Sequence, residues 1–324
     1  MSDSGHRPVM LEAVLAALTP RDGGIYIDGT FGGGGYSRAI LDAADCRVYG
    51  IDRDEDACAR GRELAKSYSG RLTVLQGRFG DMDRLTAAEG VHEVDGVALD
   101  LGVSSFQLDQ PERGFSFSKD GPLDMRMGGD GPSAADIVNG ESEQSLADII
   151  FTYGEERRSR RIARAIIEAR AEQAISRTGQ LAGVVRGCFP PARGQNQIDP
   201  ATRTFQALRI YINDELGELS RGLEAAETVL GNGGKLAIVS FHSLEDRIVK
   251  NFLRDRAGDL PGVSRHAPPQ DAKHRVPTFE QTNRRPLKPD ARETSRNPRA
   301  RSARLRSAVR TDAPAWTGGD GVAA

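Results

Sequence analysis

The sequence of 324 residues has few cysteines and no long apolar run. Its three cysteines, Cys46, Cys58 and Cys188, form no C-x-x-C pair, which argues against a disulfide framework or a zinc knuckle and fits a reducing cytoplasm. No apolar stretch approaches the roughly 18 residues of a membrane span, and the N-terminus lacks the basic-then-apolar pattern of a secretion signal. We therefore expect a cytoplasmic globular protein with no membrane association and no metal site.

The usual phosphate-binding signatures are also missing, although four consecutive glycines occupy positions 32–35. The run follows an apolar strand pattern that ends in Asp28 and precedes a helical pattern, which predicts strand, tight loop and helix. The dinucleotide fingerprint G-x-G-x-x-G fails because Ser37 and Arg38 stand where its third glycine would be, and no P-loop lysine follows. An acid directly before the loop favours a cationic ligand over a pyrophosphate.

A second acid sharpens this prediction. Asp52 ends the next strand pattern, about 20 residues beyond the glycines, the spacing at which an acid binds the ribose hydroxyls of a nucleotide ligand. S-adenosylmethionine carries an ammonium group, a sulfonium and a ribose, and the pair Asp28 and Asp52 matches that charge pattern. The sequence therefore predicts S-adenosylmethionine as a methyl donor.

Strand patterns alternate with helical patterns through the first hundred residues, and one more strand follows at 235–241. This alternation predicts an α/β fold with a Rossmann-like, doubly wound, mostly parallel sheet of the class I methyltransferase type. Ligands of such sheets bind beyond the carboxyl ends of the strands. We therefore expect Asp28, Asp52, Phe79 and Asp100 to lie on one rim, with His242 at the end of the last parallel strand.

Residues 109–198 contain helical patterns and no convincing strand, so we predict that they form an inserted all-helical domain. The predicted methyltransferase domain is then discontinuous, with residues 1–108 and 199–310, and residues 311–324 are expected to be a disordered tail. Arg157, Arg161 and Arg164 fall on one helical stripe, which is either a solvated face or an RNA contact.

The net charge of −2 conceals a basic segment near the C-terminus. Residues 284–310 hold ten Lys or Arg residues against two acids. A block of this kind indicates either a polyanionic partner or a solvated tail. A phosphate-bearing substrate would use Arg299, Arg301, Arg304 and Arg306 as RNA-binding residues.

Several long motifs occur in order along the chain, and together they resemble one family. They are DGTFGGGGYS (28–37), DLGVSSFQLD (100–109), RGFSF (113–117), GPLDMRM (121–127), YGEER (153–157), FQALRI (205–210), SFHSLEDRIVK (240–250) and NPRARSARLR (297–306). This set resembles the bacterial ribosomal RNA small subunit methyltransferase H family over roughly residues 6–310. The resemblance implies N4-methylation of a cytidine in the decoding region of 16S rRNA, with the small ribosomal subunit as partner.

The resemblance also implies which residues contact the donor, in addition to Asp28. Carried over by motif, they are Gly34, Gly35, Tyr36, Asp52, Phe79, Asp100 and Gln107. Two positions depart from the family pattern. Tyr36 replaces a histidine, so a main-chain contact is expected there, and Gly128 replaces an aspartate in the substrate-side loop.

The chemistry needs an amine held in line with a sulfonium methyl group, because the N4 lone pair is delocalised into the ring. Asp100 and His242 are the two candidate catalytic residues for holding that amine. Other hypotheses remain open at this stage: a methyltransferase that acts on another nucleic acid or a protein, a nicotinamide-dependent oxidoreductase, and a non-catalytic ribosome-assembly factor.

Overall fold

A computed structural model describes residues 8–190, 199–258 and 275–316. The chain divides into two compact units, one formed by Met1–Gly102 with Leu216–Ala324 and the other by Val103–Glu215. We call them the sheet unit and the helical unit. Within the described residues, no helix is long and apolar enough to cross a bilayer.

Seven strands form the sheet in the described residues of the sheet unit. They are β1 (Ile25–Asp28), β2 (Arg47–Asp52), β3 (Leu72–Gln76), β4 (Val94–Asp100), β5 (Leu230–Ser240), β6 (Phe279–Gln281) and β7 (Arg304–Arg310). Their order is β3-β2-β1-β4-β5-β7-β6; the first five are parallel, whereas β7 is antiparallel to both β5 and β6. The predicted α/β class with a doubly wound, mostly parallel sheet is confirmed.

The helices of the sheet unit connect and cover these strands. They are α1 (Leu11–Leu18), α2 (Gly35–Ala43), α3 (Glu55–Ala65), α4 (Met82–Ala88), α11 (Glu215–Val229, of which Glu215 belongs to the helical unit), α12 (Ser243–Arg256) and α13 (Ala291–Arg296), with 3₁₀ turns at Lys66–Tyr68, Phe79–Asp81 and Pro298–Ser302. Each face of the sheet packs in its own apolar cluster. Tyr26 and Ile27, which are neighbours on β1, lie in different clusters. Both faces are therefore buried, which explains why the central strands are continuous apolar runs.

The helical unit contains α5 (Ser105–Asp109), a 3₁₀ turn at Pro111–Arg113, α6 (Ala134–Gly140), α7 (Glu143–Gly154), α8 (Ser159–Glu172), α9 (Thr178–Gly187) and α10 (Ala201–Asn213). Ser133 caps α6 in a capping box with Asp136. We expected α10 in the methyltransferase domain, but it packs on α7 and buries Phe205 and Leu208 in the helical core.

A buried amide fastens the long loop that precedes α6. The Asn213 side chain on α10 donates to the Met125 carbonyl at 2.8 Å, and its oxygen accepts from the Met127 N–H at 2.8 Å. Met125 adopts a positive φ of 64° and is fully buried. The Met125 carbonyl and the Met127 N–H are therefore both paired, which fixes the path of a loop that has no regular structure.

The basic segment near the C-terminus is part of the sheet. Strand β7 lies between β5 and β6, so residues 304–310 form an interior strand. Residues 311–316, which we expected to be disordered, also pack on the unit: the Thr311 N–H bonds to the Thr278 carbonyl, and the indole N–H of Trp316 bonds to the Val276 carbonyl. Residues 317–324 lie outside the described residues.

One aromatic ring organises the loop between β1 and α2. Phe31 is buried, and a Cβ added at Gly34, Gly50 or Gly61 would lie within 2.7 Å of its ring. Three elements thus approach this ring so closely that only glycine fits. The position of the ring fixes the loop on β2 and α3.

We predict opposite effects of glycine-to-alanine changes in two helices. Gly61→Ala in α3 places a Cβ 2.7 Å from the enclosed Phe31 ring, so we expect it to lower the free energy of unfolding by about 1–3 kcal/mol. Gly183→Ala in α9 places a Cβ that meets no atom of the described residues within 4 Å, so it should raise the free energy of unfolding by about 0.5–1 kcal/mol through helix propensity. Urea denaturation measures both. A stabilised Gly61→Ala variant would contradict the enclosure of Phe31.

Candidate functional site

Three acids end three neighbouring strands. Asp52, Asp28 and Asp100 are the last residues of β2, β1 and β4, which lie side by side in that order. Strands β2 and β3 are added on one side of β1, and β4 is then added on the other side of β1. The winding direction of the sheet therefore changes at β1. Such a switch point opens a crevice at the carboxyl ends of the strands. The predicted rim is therefore a geometric feature of the sheet unit.

The glycine loop crosses this rim. Gly32 and Gly34 have φ values of 52° and 73°, which favour glycine. The Gly32 N–H donates to Asp52 Oδ2 at 2.7 Å, and the Phe31 N–H donates to the Ile51 carbonyl. The loop is therefore fixed to the end of β2, and Asp52 reaches it directly.

The glycines also serve the packing of the loop, which sequence reasoning missed. A Cβ on Gly34 would be 2.7 Å from the Phe31 ring, and one on Gly35 would be 2.1 Å from Pro8. Their small size is thus required by neighbouring protein atoms. A role in letting a ligand approach the main chain stays a prediction.

Asp28 is almost completely buried at the centre of the rim. Its Oδ2 accepts from the Ser37 hydroxyl at 2.7 Å and from the Ser37 N–H at 3.1 Å. Burial raises the pKa of Asp28 to about 6, and the hydrogen bonds from Ser37 and the Thr30 backbone oppose that rise. Asp28 is therefore a carboxyl group that changes charge near pH 6.

Asp100 ends the strand next to that of Asp28. The Oδ1 of Asp100, like that of Asp28, is buried and has no hydrogen-bond partner among the described residues, while the Asp100 N–H donates to the Thr30 hydroxyl at 2.6 Å. Burial, followed by the nearby charges of Asp28, Glu245 and Glu293, raises the pKa of Asp100 well above its usual range. An unpaired buried carboxyl oxygen is costly, so this atom is suited to a donor group supplied by a ligand.

Asp52 and Phe79 occupy the other end of the rim. Asp52 Oδ1 accepts from the Asp54 N–H at 2.9 Å, and burial raises the pKa of Asp52. Phe79 follows β3 in a 3₁₀ turn and packs against Gly222 of α11, where a Cβ would lie 2.4 Å from the ring. The structure thus places Asp28, Asp52 and Asp100 at strand ends and Phe79 three residues after one, all in the sheet unit.

Two predicted site residues have side chains with structural partners. The Tyr36 hydroxyl donates to the Val9 carbonyl at 2.5 Å, and the side chain is buried, so only its main chain is open to a donor contact. His242 is the N-cap of α12 in a capping box with Glu245, whose side chain accepts from the Phe241 N–H at 2.7 Å. This cap accounts for the position of His242 without any catalytic role.

Gln107 belongs to the helical unit. It is buried, and its side-chain oxygen accepts from the Ser104 N–H at 3.0 Å while the Ser104 hydroxyl accepts from the Gln107 N–H. This capping box starts α5, directly after the chain leaves the sheet unit. The structural role of Gln107 is thus local, and its proposed contact with the donor stays a prediction.

The four arginines predicted to bind RNA fall into two groups. Arg306 is buried and Arg304 half-buried, and both pair with Asp246 at 2.7 Å. A buried arginine whose charge is paired serves the fold, so the assignment of Arg306 to RNA is wrong in this structure. The sequence does not reveal this structural role of Arg306, because the role depends on the antiparallel pairing of β7 with β5. Arg299 and Arg301 are exposed.

Comparison with known proteins gives one family. The sequence model of the MraW methylase family matches residues 3–311. The chain is similar to the ribosomal RNA small subunit methyltransferase H of Paramagnetospirillum magneticum, with 60% identity over 98% of this chain and 99% of that protein. The protein of the same name from Rhodospirillum rubrum is 59% identical over 96% of each chain.

A solved structure also resembles the chain. It is a putative rRNA-methylase from Clostridium thermocellum, with 13% identity and a TM-score of 0.43, covering 94% of this chain and 99% of that one.

We predict that binding of a cationic donor depends on pH through Asp28. Because ionised Asp28 favours the cation and its pKa is about 6, the affinity for S-adenosylmethionine should fall about tenfold between pH 7 and pH 5. Titration calorimetry measures this, and Asp28→Asn should flatten the step near pH 6. S-adenosylhomocysteine, which lacks the sulfonium charge, is the control and should respond less. Equal pH profiles for both ligands would reject the assignment.

Proposed function

This chain belongs to the MraW methylase family and is an S-adenosylmethionine-dependent methyltransferase, and on that premise we propose that it methylates the exocyclic N4 of a cytidine in the decoding region of 16S rRNA. The resemblance drawn from the sequence motifs is confirmed. The observation that carries the proposal is the similarity, over nearly the full length of both proteins, to relatives named for methylation of small-subunit ribosomal RNA.

The carboxyl groups on the rim of the sheet unit support a donor site there. Asp100 Oδ1 is a buried acceptor without a partner in the described chain, and Asp28 and Asp52 add two carboxyl groups suited to a cation and a ribose. We propose that Asp52 binds the ribose hydroxyls, that Phe79 contacts the adenine, and that the donor also contacts the main chain of the 34–36 loop and Gln107. When bound, the donor supplies an electrophilic methyl group on a sulfonium.

Asp100 is the proposed catalytic residue. A carboxyl oxygen accepts a hydrogen bond from the cytosine amine and holds its lone pair toward the methyl group. The Thr30 hydroxyl accepts a hydrogen bond from the Asp100 N–H, so the backbone of Asp100 is fixed to the neighbouring loop. No protein base is required for the last proton, because the methylated amine is strongly acidic and can lose it to water. His242 remains a second candidate, with its capping role as the simpler account.

The helical unit presents a surface suited to RNA. Arg157, Arg160 and Arg161 are exposed, lie at or near the start of α8, and have no acidic partner among the described residues. The first turn of α8 also contains no acid. Cations near a helix N-terminus are electrostatically unfavourable, so phosphate groups would relieve a cost that the free protein bears. These three residues, which we call the α8 arginines, are proposed contacts of the RNA backbone.

The test of the reaction is nucleoside analysis of RNA. Small ribosomal subunits from cells lacking this protein, incubated with the protein and labelled S-adenosylmethionine, should gain one N4-methylcytidine in the decoding region, detected by mass spectrometry. Asp100→Asn should lower the rate by about 10²-fold or more, because it replaces one carboxyl oxygen by an NH₂ group, which cannot accept a hydrogen bond from the cytosine amine. The label at another atom or in another RNA would contradict the substrate assignment.

The test of the RNA surface compares two triple variants that lower the net charge of the protein by the same amount. Replacing each of the α8 arginines by Gln should weaken RNA binding and reduce the slope of log K against log salt by about 2–3, because each lost phosphate contact contributes about 0.7–0.9. Electrophoretic mobility shifts at several salt concentrations measure it.

The matched control changes three arginines of the same unit that already pair with aspartates. They are Arg126 with Asp124, Arg177 with Asp120 and Arg186 with Asp199. Their replacement by Gln changes the net charge equally but removes charges that are already neutralised, so the salt slope should change less. Equal slopes for the two sets would mean that net charge alone governs binding.

A further inference from the structure

We infer that Glu218 of α11 is a positioning residue that holds together the two loops proposed to bind the ribose and the adenine of the methyl donor. The inference rests on the proposed function, because it assumes that Asp52 and Phe79 contact the donor. Glu218 pairs with sequence neighbours of Asp52 and Phe79, and it belongs to none of the sequence motifs.

Glu218 bridges the residues that follow β2 and β3. Its Oε2 lies 3.3 Å from Arg53 Nη1 and 3.1 Å from Arg78 Nη1. Arg53 directly follows Asp52, and Arg78 directly precedes Phe79. One carboxylate thus joins the two loops through a single oxygen atom, and each arginine is adjacent in sequence to a proposed donor contact.

The same face of α11 contacts the second loop directly. Gly222, one helical turn after Glu218, packs against the Phe79 ring so closely that a Cβ would be 2.4 Å from it. Gly80 lies against the Glu218 carbonyl and the Arg221 side chain, which a Cβ at Gly80 would meet at 3.5 and 3.3 Å. The loop with Phe79 is therefore packed on α11 as well as paired to it.

The cost of this arrangement argues for a specific role. The Glu218 side chain is 2% exposed, and its Oε1 is buried with no hydrogen-bond partner in the described part of the chain. Placing a carboxylate there gives up hydration that two partners on one oxygen only partly replace. An apolar side chain would fill the position at lower cost but could not orient two arginines from different loops.

The same helix supplies a matched control. Glu227, nine residues later, is 1% exposed and pairs with Arg256 at 2.9 Å and with the Thr278 hydroxyl at 2.6 Å. Its partners belong to α12, to the residue before β6 and, through the Trp316 N–H, to the segment after β7, and none of them lies in the loops with Asp52 and Phe79. Glu227→Gln therefore disturbs a buried pair on α11 without touching the proposed donor site.

The experiment compares donor affinity and stability in the full-length protein. We expect Glu218→Gln to weaken S-adenosylhomocysteine binding about tenfold by calorimetry and to raise the KM for S-adenosylmethionine similarly, with kcat at saturating donor within about twofold. Glu227→Gln should lower the melting temperature about as much as Glu218→Gln does, but it should leave donor affinity unchanged. Equal effects of the two changes on donor affinity would overturn the inference.

A second variant, Arg78→Gln, tests the inference even if Glu218→Gln does not fold. Arg78→Gln removes the more exposed of the two partners and leaves the pair of Glu218 with Arg53, so it should weaken donor binding by a smaller factor, about threefold. The double variant with Arg78→Gln and Glu218→Gln should lose less donor affinity than the product of the two single losses, because both changes act through one contact. Independent effects would show that Glu218 does not act through Arg78.

Asp52→Asn separates this inference from the proposed function. If Asp52→Asn leaves donor affinity unchanged, the donor assignment fails and the positioning role fails with it. If Asp52→Asn weakens binding while Glu218→Gln and Arg78→Gln do not, the donor assignment stands and the positioning role alone is rejected.

Discussion

The enclosure of the Phe31 ring is the constraint on which the candidate site depends. Glycines of the loop, of β2 and of α3 surround this ring, so the path of the loop is set by packing before any ligand is present. That path brings the Gly32 N–H to Asp52 and the Thr30 hydroxyl to Asp100. Acids on three separate strands are thereby joined by one short segment, and the site is organised in the free protein.

The acids of the rim oppose the stability of the fold. Burial raises the pKa of Asp28, Asp52 and Asp100, which means that ionising them in the folded state costs free energy. Because their folded-state pKa values lie above ordinary values, stability from these groups is greatest at low pH and declines as the pH rises through the raised values, near 6 for Asp28. A bound cation offsets this cost, so stability and donor binding are coupled.

The sequence predicted the parts of this protein that depend on local pattern. Buried strands are apolar runs, and the acids that end them are visible because they interrupt those runs. Roles that depend on contacts between distant segments could not be predicted. Gly35 faces Pro8, and Arg306 lies on an interior strand; neither role follows from neighbouring residues. Glu218 was missed because its two partners are more than 100 residues away in the chain.

The insertion between β4 and β5 also affects how the chain is made. Strand β4, an apolar segment at Val94–Asp100, pairs with β5 at Leu230–Ser240, so its outer edge has no partner until the helical unit has been synthesised. At about 5–20 residues per second, ribosomes need roughly ten seconds to cover that interval. An open apolar edge for that time invites pairing with other chains. Nascent chains of this protein should therefore require protection by chaperones during the synthesis of the helical unit.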